Sequence, residues 1–128
     1  MKRSSHQVMT VDQLVDRFAE IGFALYQAMR GNAYAKVRNL ANQMLAVDKE
    51  LRPRGRDARL ALVRLYNHPN IQVRLDAAKC TLEIAPVAAR ETIKAIEESR
   101  CFPQAGDAGM TLQYLDESIF KPNRCPQS

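Results

Sequence analysis

Residues 57–85, DARLALVRLYNHPNIQVRLDAAKCTLEIA, decide the fold. They read as two helices, 57–66 and 70–85, folded back on each other about the turn His68-Pro69-Asn70. Ala58, Ala61, Leu62 and Leu65 recur at the three-to-four-residue spacing that lines one helix face. Asn70 is placed to accept hydrogen bonds from the free N–H groups that open the next helix. That helix carries one apolar stripe of Ile71, Leu75, Ala78 and Leu82, and a second of Val73, Ala77, Cys80 and Ile84. A helix with two stripes must be covered on two sides, as in a stack of helices.

Upstream, Thr10-Val11-Asp12-Gln13 has the form of a capping box, with Asp12 adding negative charge where the helix dipole is positive. Leu14, Phe18, Ile21, Leu25 and Ala28 follow as a continuous stripe flanked by Val11, Val15, Gly22 and Met29. A first helix over about 11–30 is expected, stopped at Gly31-Asn32. Val37, Leu40, Met44, Val47 and Leu51 then make the seam of a second helix. The short break between the two predicts an antiparallel helical hairpin rather than a coiled coil. Arg52-Pro53-Arg54-Gly55-Arg56 breaks the chain before the central pair.

Downstream, Pro86 suits the first position of a fifth helix, where its missing N–H costs nothing. Ala89, Ile93 and Ile96 supply that helix's buried face, with Val87 and Ala88 at its start. Residues 101–106 read as a loop. A last helix is expected from about Asp107, as N-cap, through Met110, Leu112, Leu115 and Ile119, until Lys121-Pro122 stops it. His68-Pro69-Asn70 and Phe102-Pro103-Gln104 stand 34 residues apart, a faint echo at the period of paired-helix repeats. The organisation expected is a flexible N-terminus over 1–9, one helical-repeat domain over 10–122, and a disordered tail over 123–128.

Composition agrees. At 128 residues, 46% hydrophobic and 26% charged, the chain is long enough for a core of its own. With no tryptophan and few aromatics, small and aliphatic residues must fill the interior. Runs of period-two β-branched residues are missing, so the class is all-α. No apolar segment follows Lys2-Arg3 as it would in a signal peptide, the longest charge-free stretch of the first helix, Ile21 to Met29, is about half of a membrane span, and a cytoplasmic location is expected. Three cysteines at irregular spacing make no disulfide framework. The net charge of +5 is unevenly spread: from Arg30 to Arg64 nine bases face three acids, and from Leu75 to Phe120 four bases face eight acids.

Val73-Arg74-x-x-Ala77-Ala78-x-x-x-Leu82, after the His-Pro-Asn turn, resembles the second helix of a HEAT repeat. The resemblance implies that Val73, Ala77, Ala78 and Leu82 are buried and that Arg74 bridges to an acidic or backbone group of a neighbouring turn. The later unit departs from it, with Gly106-Asp107 near the place of the Val-Arg pair. The whole chain from 9 to 122 also resembles a small bacterial family catalogued as domain of unknown function twenty-nineteen. That likeness rests on Met9-Thr-Val-Asp-Gln-Leu-Val-Asp-Arg-Phe18, on His68-Pro69-Asn70-x-x-Val73-Arg74-Leu75-x-Ala77-Ala78, and on Pro103-Gln-Ala-Gly-Asp-Ala-Gly-Met110. It implies a HEAT/armadillo-like α–α superhelix of about six helices in three antiparallel hairpins, and no established activity, cofactor or catalytic residue.

The residues suggest no enzyme either. His6 and His68 lie apart from one another with no Cys or acid at metal-ligand spacing, so neither a metal nor another cofactor is expected. His68 reads as a turn residue. Asp12, Asp16 and Glu20 share a helix face interleaved with Arg17, the pattern of a solvated stripe. Gly106-x-x-Gly109 lacks the preceding strand and following lysine of a phosphate loop. The one feature with functional pull is basic: Lys49, Arg52, Arg54, Arg56, Arg59 and Arg64, clustered about a Pro/Gly turn, are candidates to hold a partner's carboxylates or phosphates, unless they pair locally. The reading is a non-catalytic protein-interaction module whose partner is another protein or a second copy, as in a homodimer. The alternative is a nucleic-acid binder using Arg52 to Arg64. The missing aromatics and the acidic C-terminal half count against it.

Overall fold

The computed structural model describes residues 9–120, all-α throughout, and the expectations for 1–8 and 121–128, including His6 and Cys125, lie outside them. The order is α1 (Val11–Arg30), α2 (Tyr34–Leu51), a 3-10 turn (Arg52–Arg54), α3 (Arg56–Leu60) continued by a 3-10 segment (Ala61–Asn67), α4 (Ile71–Cys80), α5 (Pro86–Glu98) and α6 (Gln104–Phe120). α1 pairs with α2, the α3 segment with α4, and α5 with α6. These are the three hairpins expected. No strand occurs among the described residues.

α1 starts where the capping box places it. The Thr10 hydroxyl accepts from the Gln13 N–H at 3.1 Å, and the Gln13 side chain accepts from the Thr10 N–H at 2.9 Å. Its whole predicted stripe is buried, Leu14 and Phe18 completely. The left-handed residue at its end is Asn32 (φ 56°), while Gly31 keeps a negative φ.

α4 is the central element. Val73 and Ala77, with Cys80 beside them, belong to a core formed with α1, α2 and the α3 segment. Leu75 and Ala78, flanked by Ile71 and Leu82, belong to a second core with α5 and α6. The two stripes read from the sequence thus enter two separate clusters. Asn70 caps the helix as expected, its Oδ1 accepting from the N–H groups of Gln72 and Val73. Arg74 donates to the carbonyls of His68 and Pro69, at 2.8 and 3.1 Å, and so locks the turn that reverses the chain. His68 completes that turn by accepting, through Nδ1, from the Asn70 N–H.

Four boundaries or faces differ from expectation. α4 ends at Cys80, five residues before Ala85. The buried Thr81 hydroxyl donates to the Ala77 carbonyl and meets the Tyr66 hydroxyl, and a turn over 81–84 follows. Pro86 disfavours helical backbone at Ala85, which takes φ −140° and ψ 61°. The segment 57–66 is α-helical only through Leu60 and then tightens to 3-10, ending at extended His68 before Pro69. α6 begins at Gln104, not Asp107: N–H groups of Gly106 and Asp107 already donate to the Pro103 carbonyl. Asp107 therefore sits in the first turn of α6, bound to Lys79 of α4 at 3.0 Å, rather than at the cap. Its early start puts Gln104, Ala105 and Ala108 inside and leaves Met110 72% exposed. At the start of α5, Val87 and Ala88 also face outward.

Two features of α4 set its packing. Gly22 of α1 lies directly on Val73: a Cβ at Gly22 would stand 2.8 Å from Val73 Cγ2 and 3.2 Å from Val73 Cα. Between α4 and α6 lies a polar inlay. Buried Gln72 accepts from Gln104 at 2.9 Å and donates to both carboxylate oxygens of Asp76. Burial lifts the Asp76 carboxyl to about 6, against opposing pulls from Gln72 and Lys79, and Asp107 adds a smaller upward push.

Gly22→Ala is expected to destabilise the protein by about 1–2 kcal/mol in chemical denaturation, although alanine is the better helix former, because the clash includes main chain and no rotamer relieves it. Equal or greater stability of the variant would show that α1 and α4 can separate freely. For Asp76 the folded chain holds the proton more tightly than the unfolded chain does. Stability should therefore fall as pH rises from about 4 to about 6 and stay lower above that. Asp76→Asn, which keeps an acceptor for Gln72, should flatten that interval and add on the order of 1–2 kcal/mol near neutrality. Urea midpoints measured on either side of the interval check both.

Candidate functional site

The basic segment is largely tied into the structure. Arg52 reaches buried Asp48 at 3.1 Å and Glu83 at 3.5 Å, and Arg59 reaches the same Glu83 at 2.8 Å. Arg54 pairs with Glu50 at 3.0 Å and donates to the Met9 carbonyl at 2.6 Å. Arg56 donates to the Ile84 carbonyl at 2.9 Å, and Arg64 reaches across to Asp12 at 2.6 Å. Of the six candidates only Lys49 extends from its helix with neither an ion pair nor a hydrogen bond among the described residues. Asp48–Arg52 and Glu50–Arg54 are local pairs four residues apart, Asp12 and Glu83 are brought to the segment by the fold, and Asp57, adjacent in sequence, is not used.

The cluster joins α2, the 3-10 turn, α3 and the turn after α4. Its electrostatics follow the contacts. The hydrogen bond and charge of Asp48 hold the Arg52 guanidinium above its ordinary range. The Arg59 hydrogen bond, the Arg59 charge and then Arg52 hold Glu83 below its own. Asp48 Oδ1 and Arg59 Nε are buried without a hydrogen-bond partner, so the cluster keeps unspent polarity at its inner edge. Cys80 borders it, but burial, followed by Asp48 and Asp76, pushes its thiol up to about 12. A thiol so held stays protonated at neutral pH and is no nucleophile.

A second place, which the sequence reading missed, is a cleft of about 360 Å³ at one edge of the molecule. The last turn of α1 supplies Tyr26, Met29 and Arg30. The turn into α4 supplies Pro69, Asn70, Ile71 and Arg74, and the segment before α6 supplies Ser99 and Cys101 to Gln104. Arg30 lies over the Tyr26 ring, 5.6 Å from its centroid. Arg74 is pinned by the turn carbonyls, and Phe102 is 66% exposed. Two guanidinium groups thus share one cleft with apolar and aromatic walls. Arg30 and Phe102 are separated by most of the chain, and no periodicity or local motif links them. The echo between Pro69 and Pro103 was the sole hint, since both prolines line this cleft.

Asp12, Asp16 and Glu20 share a face as expected, with Asp12 taken by Arg64 and Glu20 by Arg17. Gly106 lies inside α6 rather than in the loop expected over 101–106, beside the Phe102 ring, and Gly109 lies on the same helix beside the Glu97 carboxylate. Among the described residues, no group of three or more His, Cys, Asp or Glu side chains is placed to hold a metal ion. No helix among them is long and apolar enough to cross a membrane.

A crystal structure of the protein RPA1889 from Rhodopseudomonas palustris CGA009 is similar to this chain at 46% identity, with a TM-score of 0.87 over 95% of this chain and 100% of that one. No curated protein matches. The family model described as "Domain of unknown function (DUF2019)" matches residues 12–116. By this match and by the identity to RPA1889, the chain belongs to the DUF2019 family.

Proposed function

We propose that this protein is a non-catalytic, HEAT/armadillo-like interaction module of the cytoplasm, and that its cleft receives an acidic segment of a partner protein. The observation that carries the reading is the meeting of Arg30 and Arg74 with Tyr26, Ile71 and Phe102 in one cleft. Guanidinium groups grip carboxylates through paired, charge-assisted hydrogen bonds. Apolar walls beside them add area that discriminates among acidic sequences. Arg74 is already oriented by two carbonyls, so its position costs a partner little entropy. Paired helices stacked side by side suit this role because their edges and end faces stay open to partners.

Nucleic-acid binding through Arg52 to Arg64 is the weaker reading. Four of its arginines already answer carboxylates of this chain, and a fifth answers a carbonyl. A phosphate backbone would have to displace those partners.

Fluorescence polarisation against a panel of acidic peptides bearing an aromatic residue tests the proposal, with a labelled DNA single strand and a duplex at low salt beside it. Selected peptides are expected to bind, and Arg30→Glu and Phe102→Ala each to weaken them by about tenfold or more. Both substitutions are at exposed positions and should leave the thermal melt unchanged. Peptide binding indifferent to both substitutions, or DNA binding in place of peptide binding, would overturn the proposal.

A further inference from the structure

Among the charges that form no ion pair within the described residues, two groups stand at the two ends of the molecule. On α2, Lys36, Arg38 and Lys49 are exposed and form no ion pair among the described residues. On α5 and α6, Glu91, Glu97 and Glu117 have no cationic partner there, although Arg90 pairs with Asp116 and Lys94 with Glu98. α2 packs on α1 and touches the α3 region, while α6 packs on α5 and α4. These cations of α2 and these anions of α5 and α6 thus lie on opposite end faces, while Asp57 on α3 and Arg100 after α5 stand outside the pattern.

Both faces also carry exposed apolar side chains in register with these charges. Along α2, Tyr34, Arg38, Leu45 and Lys49 fall on one outward face at helical spacing, with Tyr34 76% and Leu45 58% exposed. Along α6, Met110, Tyr114 and Glu117 share the outward face, with Met110 72% and Tyr114 69% exposed. Beside them runs a groove between α5 and α6 whose lining includes Glu97, Gly109, Leu112, Gln113 and Glu117. At Gly109 the missing side chain leaves room for the Glu97 carboxylate, since a Cβ there would stand 3.1 Å from Glu97 Oε2.

From this complementarity we infer that the α2 face of one copy docks on the α5–α6 face of a second copy, head to tail. Tyr34 and Leu45 cover Met110 and Tyr114, while Arg38 and Lys49 reach Glu97 and Glu117. Matching like faces would set cations on cations or anions on anions, so charge favours the unlike pairing. Such a contact is heterologous: it extends the helical stack and leaves one face of each kind at the ends, unless the assembly closes into a ring. This goes beyond the cleft and uses none of its residues.

The test is mass measurement by sedimentation and light scattering across protein concentration, for the full chain. The wild type should gain mass with concentration at low salt and return to monomer in about 1 M salt, where surface charges are screened. Arg38→Glu/Lys49→Glu, and separately Glu97→Lys/Glu117→Lys, should each weaken self-association by about tenfold or more with an unchanged thermal melt. Mixing the two variants restores opposite charges at every unlike contact, so association should return in the mixture. A wild type that stays monomeric at low salt at every concentration, or association untouched by both double variants, would overturn the inference. So would a mixture that remains monomeric while both variants melt as the wild type does.

Discussion

The architecture depends on α4 being buried from two directions. A ten-residue helix is too short to persist alone in water, so its existence rests on tertiary cover. Small residues make double cover feasible: Ala77 and Ala78 are fully buried on opposing sides, and Gly22 lets the α1 backbone close onto Val73. At such a contact, dispersion over many atom pairs replaces what a larger side chain would add by area. Asn70 and Arg74 then satisfy the polar groups that the short helix and its tight entry leave open.

Much of this was legible because the periodicity is local. The stripes of α1 and α4, the capping box at Thr10, the Asn70 cap and the Pro86 start each depend on residues within a few positions of one another. The errors arose where distant partners decide. α4 stops at Thr81, whose buried hydroxyl meets Tyr66, fifteen residues earlier. α6 begins early, and its first residue Gln104 meets Gln72, thirty-two residues away, in the interior. Gly106 suggested a loop, yet it lies inside α6 beside Phe102, and Gly109 on the same helix makes room for Glu97. Met110 looked like core and is exposed for the same reason, since starting the helix at Gln104 turns Ala105 and Ala108 inward instead.

Candidate sites were read less well than the fold. A run of arginines marks charge, and four-residue spacing offers Asp48 to Arg52 and Glu50 to Arg54, but nothing local says that Asp12 and Glu83 will meet it. Glu83 alone occupies both Arg52 and Arg59. Exposed pairs of this kind contribute little stability individually. Their structural effect is to join the 3-10 turn and α3 to the turn after α4, where few apolar side chains are available. Conversely, the cleft between the end of α1 and the start of α6 is composed of three segments remote from one another, so only folding assembles it.

The separation of the two clusters on α4 has a consequence for how the protein can change over time. Val73 and Ala77 answer to one interior and Leu75 and Ala78 to the other. Substitutions far apart in the two clusters add in their effects, whereas neighbours, or residues that share Tyr66 as a partner, couple. Repacking around α1 and α2 can therefore proceed without compensating changes around α5 and α6, provided the alanines of α4 stay small and Tyr66, packed against both clusters, keeps its place. The shared helix holds the two halves together physically while letting their sequences drift apart.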